Sequence, residues 1–252
     1  MARLIYLLYF WLLFMPALVL VTVFFGALCL ALAPFLGPRT TGRLTAVPWA
    51  RFGLMFSGIN VRVLGREHVD PKQSYVIVAN HLSHYDIWAL YGWLGIDIRW
   101  VAKKEVRSIP VIGIACEVGL GHVFIDRADT RSAVSSLEQA KQRIVSGTSI
   151  IFFPEGTRSH DGHLQPFKKG AFRMAQDLGL PVLPISIEGT RHVLPKGSAL
   201  VTPGNITITI HPPLPAPDTE GALDELMARS RAAIESSLEQ TDVSPGWPDA
   251  RA

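Results

Sequence analysis

His81 and Asp86 stand five positions apart in the run Asn80-His81-Leu82-Ser83-His84-Tyr85-Asp86. A carboxylate at that spacing can reach back to one imidazole nitrogen and fix the tautomer. The other nitrogen is then free to accept a proton from a hydroxyl. This is the His-Asp half of a catalytic triad, with the substrate supplying the nucleophile. The chain has no Gly-x-Ser-x-Gly elbow, so an enzyme-borne serine nucleophile has little support. His81, His84 and Asp86 are also metal-ligand types, but no further Cys, His or Glu cluster complements them and no metal is expected. Ser83 and His84 fit loop or helix-capping roles equally well.

A second polar group is Phe152-Phe153-Pro154-Glu155-Gly156-Thr157-Arg158-Ser159. Proline and glycine force a turn there, which exposes the polar residues. Arg158 can hold a phosphate through two parallel donors, and Gly156 lets the backbone come close. Glu155 would repel a phosphate, so it either orients Arg158 or accepts a hydrogen bond from an acceptor hydroxyl. A plain turn salt bridge between Glu155 and Arg158 is the simpler alternative. Further cations follow at Lys103-Lys104 and at Arg127, in Phe124-Ile125-Asp126-Arg127. Each alone is only a solvated charge.

These groups are informative because of the elements that carry them. Short β-branched runs are expected to form strands at 60–64, 75–79, 99–102, 122–125, 149–153, 182–187 and 206–210. Helical spacing covers 85–94, 105–116, 131–145, 168–178 and 222–238, with Asp129 as a cap for the third. Apolar strands alternating with helices predict an α/β domain with a central mostly parallel or mixed sheet covered on both faces. His81, Lys103, Arg127 and Arg158 would then all lie just past strand ends, on the rim where open α/β sheets place their sites.

The chain has 252 residues, 48% of them hydrophobic, a net charge of +3, and a pI near 9.0 with mean hydropathy +0.26. The charge suits an anionic membrane surface or phosphorylated ligands and is too mild to argue for nucleic acid. The two cysteines, Cys29 and Cys116, make no disulfide framework. No charged residue interrupts Leu4–Ala33, whereas Pro16 and Gly26 do. As one helix it would run roughly 45 Å, beyond the roughly 30 Å of a hydrocarbon core. A secretory signal is disfavoured by this length and by Pro34 after Ala31–Ala33. A tilted single span and a membrane-embedded helical hairpin bent at Pro16 remain open. Arg39, Arg43 and Arg51 after the segment, against Arg3 before it, place the following domain at the cytoplasmic face of the inner membrane. The stretch 40–57 either lies as an interfacial helix or caps the core. Residues 1–58 are read as the membrane-associated segment, 59–239 as the catalytic domain and 240–252 as a disordered tail.

Taken in order, these blocks resemble the glycerolipid acyltransferase family. Asn80-His81 with Asp86 is similar to its His-x4-Asp block. Lys103-Lys104-Glu105, Ile109-Pro110 through Gly113, and Phe124-Ile125-Asp126-Arg127 are similar to the second. Phe153-Pro154-Glu155-Gly156-Thr157-Arg158-Ser159 is similar to the third and Leu183-Pro184-Ile185-Ser186-Ile187 to the fourth; Pro166-Phe167-Lys168-Lys169-Gly170 also matches. The resemblance covers 60–213. It implies that His81, oriented by Asp86, deprotonates the sn-2 hydroxyl of lysophosphatidic acid for attack on acyl-CoA or acyl-carrier protein, with no cofactor. It further implies that Arg127, Arg158 and Lys103 or Lys104 bind the acceptor phosphate in a pocket shaped by Glu155, Gly156 and Thr157. Glycerol 3-phosphate, a lyso-ornithine lipid or another lysophospholipid is the alternative acceptor. A non-catalytic phospholipid-binding protein and an acyl hydrolase are readings from other classes.

Overall fold

Each of the seven β-branched runs forms a strand: β1 (Ile59–Leu64), β2 (Val76–Ala79), β3 (Asp97–Lys103), β4 (Val123–Ile125), β5 (Thr148–Phe152), β6 (Val182–Glu188) and β7 (Gly204–Ile210). The computed structural model describes residues 2–126, 128–144, 147–159, 161–217 and 219–238. Arg127 and the expected tail at 240–252 lie outside them. The helices are α1 (Ala2–Tyr9), α2 (Met15–Leu44), α3 (Ala46–Phe56), α4 (Tyr85–Trp93), α5 (Ile112–Ile114), α6 (Thr130–Lys141), α7 (Gly170–Leu178), α8 (Thr190–Val193) and α9 (Glu220–Leu238).

The strands form one mixed sheet in the order β1-β7-β6-β2-β5-β3-β4. β6 and β7 pair antiparallel, and the other neighbours are parallel. The carboxyl ends of β6, β2, β5, β3 and β4 therefore share one rim. Successive side chains point to opposite faces, so each strand feeds two cores. Ile77, Ala79, Ile151 and Leu183 pack with Leu54 of α3 and with Ala89 and Leu90 of α4. Val76, Val78, Ile150 and Phe152 pack on the other face with Phe172 of α7 and Leu226 of α9. This double burial explains why β2, β5 and β6 read as unbroken apolar runs. Asp129 does cap α6, its side chain accepting from the Arg131 and Ser132 amides.

The amino-terminal segment stays helical through Pro16 and does not reverse there. Before that residue the helix loosens into a π-turn, Phe10–Phe14, in which the Met15 N–H reaches the Phe10 carbonyl. Pro16 then stands in the first turn of α2, where its missing donor is not needed. The chain instead turns at Gly37, with φ +69, between Pro34 and Pro38, and α3 returns antiparallel beside α1 and the start of α2. Tyr6 Oη donates to the Ser57 carbonyl and Trp49 Nε1 to Thr22 Oγ1, pinning the return. One side of the segment carries Phe10, Phe14 and Cys29 into the protein, while Leu8, Leu12, Val19, Val23 and Phe35 are exposed along the other. On α3, Ala50 and Leu54 cap the core while Met55 and Phe56 are exposed.

Residues 105–116 are not one helix. Pro110 cannot continue a helix, and Val111 takes φ +65, a left-handed conformation costly for a β-branched residue. The segment breaks into a 3-10 turn, α5 and a π-turn, Ala115–Gly119, which follow α2. A Cβ on Gly26 would fall 2.1 Å from Val111 Cγ1, and one on Gly119 2.4 Å from Cys29 Sγ. Glycine at both positions permits the approach.

Beneath this segment His122 is buried. Its Nδ1 accepts from the Trp100 amide and its Nε2 contacts Tyr91 Oη at 2.8 Å. Burial, and then the Arg99 charge, push its pKa down to about 3. The folded ring stays neutral while the unfolded chain takes up a proton below pH 6.5, so stability falls as pH drops from there toward 3. Between pH 7 and 5 this amounts to about 2 kcal/mol. Thermal melts in detergent at the two pH values are expected to show a larger acid shift for the wild type than for His122→Asn.

Candidate active site

His81 stands two residues after the end of β2, and Asp86 lies in the first turn of α4. Asn80, fully buried, secures the strand end: its Nδ2 donates to the Ile187 carbonyl and its Oδ1 accepts from the Ile187 amide. This two-bond clamp prolongs the β2–β6 pairing by one side chain and aims the next residue out of the sheet. His81 Nδ1 then lies 2.7 Å from Asp86 Oδ2. The same oxygen accepts from the Leu82 and Ser83 amides at 2.8 and 2.9 Å. Asp86 is fully buried, so its charge is held by these donors and by the amino-terminal end of α4. Since Oδ2 accepts from the amides as a carboxylate, the network assigns the ring proton to Nδ1 and leaves Nε2 as a proton acceptor.

The turn after β5 holds the rest of His81. Glu155 Oε1 accepts from the His81 amide at 2.9 Å, and its Oε2 accepts from the Gln165 amide at 3.0 Å. The Ser159 amide donates to the His81 carbonyl at 2.9 Å. Phe153 lies parallel to the imidazole, with centroids 3.9 Å apart and planes 6° apart. The ring, the amide and the carbonyl of His81 are thus all fixed by one turn from the neighbouring strand. Glu155 neither pairs with Arg158 nor faces outward; it ties two loops together from a buried position. Burial raises its pKa, and the two amide bonds oppose that shift.

Gly156 takes φ +75, and a Cβ there would fall 2.9 Å from Lys168 Nζ, so the Lys168 side chain lies directly over the turn. Lys196, on the loop after α8, donates to the Arg158 carbonyl at 2.8 Å and stands 3.5 Å from Thr157 Oγ1. Desolvation, and then the Arg158 charge, hold the His84 imidazole below its ordinary pKa. Lys103, the last residue of β3, and Lys104 after it occupy the same rim, in ion pairs with Glu105 and Asp126. Lys168 and Lys196 are the cations that spacing did not single out. Among the described residues no three His, Cys, Asp or Glu side chains gather as a metal site requires.

An apolar cavity of about 210 Å³ opens beside His84, walled by Trp11, Phe14 and Leu18 of the amino-terminal segment, by Trp88 of α4 and by Leu194. Ser83 Oγ donates to the Leu194 carbonyl at 2.8 Å, fastening this wall to the His81 loop. The site therefore combines a base, a cationic turn and an apolar slot. Such a site suits a substrate with a hydroxyl, an anion and a hydrocarbon chain. Because Glu155 acts through the His81 backbone, Glu155→Gln is expected to lower kcat roughly tenfold to a hundredfold while acceptor KM stays within about threefold. A raised KM at constant kcat would instead put Glu155 in contact with the acceptor.

Comparison with known proteins places the chain in a family. The family model described as Acyltransferase matches residues 60–188. A 1-acyl-sn-glycerol-3-phosphate acyltransferase of Chlamydomonas reinhardtii is 39% identical over 180 residues, 71% of this chain and 53% of that protein. The human 1-acyl-sn-glycerol-3-phosphate acyltransferase alpha is 33% identical over 182 residues, 70% of this chain and 64% of its own. The chain thus spans about half the length of the algal relative and just under two thirds of the human one. The crystal structure of the 1-acyl-sn-glycerophosphate (LPA) acyltransferase PlsC from Thermotoga maritima is similar over 98% of both chains, with a TM-score of 0.78 at 29% identity. With the family match lying over the strands and turns that build the His81–Asp86 site, this chain belongs to the acyltransferase family.

Proposed function

We propose that this protein transfers an acyl group from acyl-CoA or acyl-carrier protein to the sn-2 hydroxyl of lysophosphatidic acid, forming phosphatidic acid. The observation that carries the reading is the 2.7 Å contact between His81 Nδ1 and Asp86 Oδ2, which leaves Nε2 as a base in a site that also offers a cationic turn and an apolar slot. The names of the relatives at 33% and 39% identity support the acceptor. No cofactor enters the scheme.

In the reaction, Nε2 takes the hydroxyl proton as the oxygen attacks the thioester carbonyl. The imidazolium is stabilised by the Asp86 carboxylate, which keeps its own charge. The tetrahedral adduct collapses by breaking the carbon–sulfur bond. The proton on Nε2 passes to the departing sulfur, so the ester forms, the thiol leaves and His81 is restored. Arg158 holds the phosphate of the acceptor as a charge-assisted pair. Lys103, Lys104 and Arg127, assigned to the phosphate by the family resemblance, remain part of the proposal. The apolar slot takes a hydrocarbon chain.

One wall of that slot is the amino-terminal segment, whose opposite side is lined by exposed apolar residues. A helix fastened to the domain along one side and apolar along the other fits embedding in one leaflet better than crossing the bilayer. The lipid acceptor would then enter sideways, with the domain at the cytoplasmic face of the inner membrane.

Two variants test the assignment. His81→Ala is expected to lower kcat roughly 10³- to 10⁴-fold while the protein still folds and binds lysolipid. Retained turnover would remove His81 as the base. Arg158→Ala is expected to raise acceptor KM roughly tenfold, with a much smaller effect on donor KM. Both are read by following phosphatidic acid formation with each donor type.

A further inference from the structure

The cations on the rim fall into two sets. Lys103 and Lys104 are matched by Glu105 and Asp126. Arg107 and Lys169 are likewise matched, by Glu117 and Asp224. Arg158, Lys168 and Lys196 make no ion pair among the described residues, yet all three lie against the one turn that follows β5. Lys168 covers Gly156, and Lys196 reaches the Arg158 carbonyl and Thr157 Oγ1. Arg158 belongs to the turn itself, and its carbonyl also accepts from Gln165 Nε2. They come from three separate parts of the chain, so their convergence is a tertiary property.

Three like charges around a five-residue turn repel one another unless an anion joins them, and the Glu155 carboxylate of that turn is taken up by two amides instead. The Lys196 contacts go to neutral oxygens, which leave its ammonium charge uncompensated. The turn also places this cluster beside His81, whose amide and carbonyl it holds. From this arrangement we infer that Lys168 and Lys196 complete, with Arg158, the pocket for the phosphate monoester of the acyl acceptor. Lys196 supplies an ammonium group already oriented by the Arg158 carbonyl, and Lys168 closes the pocket over Gly156. A dianionic phosphate suits this set better than a phosphodiester, which offers one charge to three cations. The inference deepens the acceptor reading above and rests on it for the identity of the lipid, not for the existence of the anion pocket.

The test uses the full chain in detergent, with Lys168→Met, Lys196→Met and Lys196→Arg. In acyl transfer to lysophosphatidic acid, each Met variant is expected to raise acceptor KM roughly tenfold, with donor KM within about twofold and kcat falling far less than KM rises. Lys196→Arg should recover most of the loss. Calorimetric titration with sn-glycerol 3-phosphate, a soluble phosphate monoester, should show binding to the wild type that both Met variants weaken; glycerol should not bind. Unchanged acceptor KM in both Met variants, or a loss confined to kcat as a loosened turn would give, overturns the pocket. A rise in donor KM alone would assign the cations to the phosphates of the donor and overturn the acceptor site. If glycerol 3-phosphate binding depends on the lysines but lysophosphatidic acid is not acylated, the acceptor identity fails while the pocket stands. Absence of glycerol 3-phosphate binding to the wild type overturns the pocket itself.

Discussion

A fully buried carboxylate organises this site. Moving an ionised carboxylate out of water costs several kcal/mol unless charge-assisted hydrogen bonds replace its hydration. Asp86 meets that need at one oxygen, Oδ2, which gathers the His81 ring and the Leu82 and Ser83 amides, while the buried Oδ1 has no hydrogen-bond partner among the described residues. The loop leaving β2 must therefore curl around the carboxylate, and its shape is set by where α4 sits. That helix is in turn held by Tyr85, Ala89 and Leu90, all buried in the larger core. Core packing, loop shape and the direction of a single imidazole nitrogen thus form one chain of dependence. Asn80 secures the other end of the loop by binding both backbone groups of Ile187.

The turn after β5 divides its work between holding the base and presenting charge. Its inward groups, Glu155, Phe153 and the Ser159 amide, fix the backbone and ring of His81. Its outward groups, Thr157 and Arg158, meet Lys196, while Lys168 lies over Gly156. A parallel ring at 3.9 Å opposes movement of the imidazole toward Phe153. Glutamate in such a turn invites a catalytic reading because carboxylates so often carry chemistry. Here its two oxygens are taken up by two amides, and their geometry makes it a brace between loops.

The amino-terminal segment belongs to the site as much as to the surface. Phe10 and Phe14 enter the same core as β2 and α4, and Trp11 and Leu18 form part of the cavity wall beside His84. Gly26 and Gly119 allow α2 and the 111–119 segment to come into direct contact. The resulting arrangement keeps an outward apolar side next to a slot of similar polarity. A hydrocarbon chain passing from one to the other would remain in an apolar environment throughout, which lowers the barrier to exchange with water-insoluble substrates.

Much of this was legible in the residues alone. Seven strands could be read because doubly buried strands demand unbroken β-branched runs. The His81–Asp86 pair could be read because a five-residue spacing across a strand-to-helix junction brings the two side chains together. The turn at 154–158 followed from the backbone needs of Pro154 and Gly156. Other features depend on neighbours that are remote in sequence. Pro16 looks like a hinge until the preceding π-turn absorbs it, and Gly37 becomes the bend because α3 finds its partners there. The 105–116 stretch has helical spacing, but α2 and the left-handed Val111 divide it. The role of Glu155 is decided by amides 74 and 10 residues away, and the pairing of Lys104 by an aspartate 22 residues on. Local chemistry and periodicity thus determined the elements and the His-Asp pair, since those depend on spacing along the backbone. Only the tertiary structure decided which charges are neutralised and which are left facing the site, since that depends on contacts between distant loops.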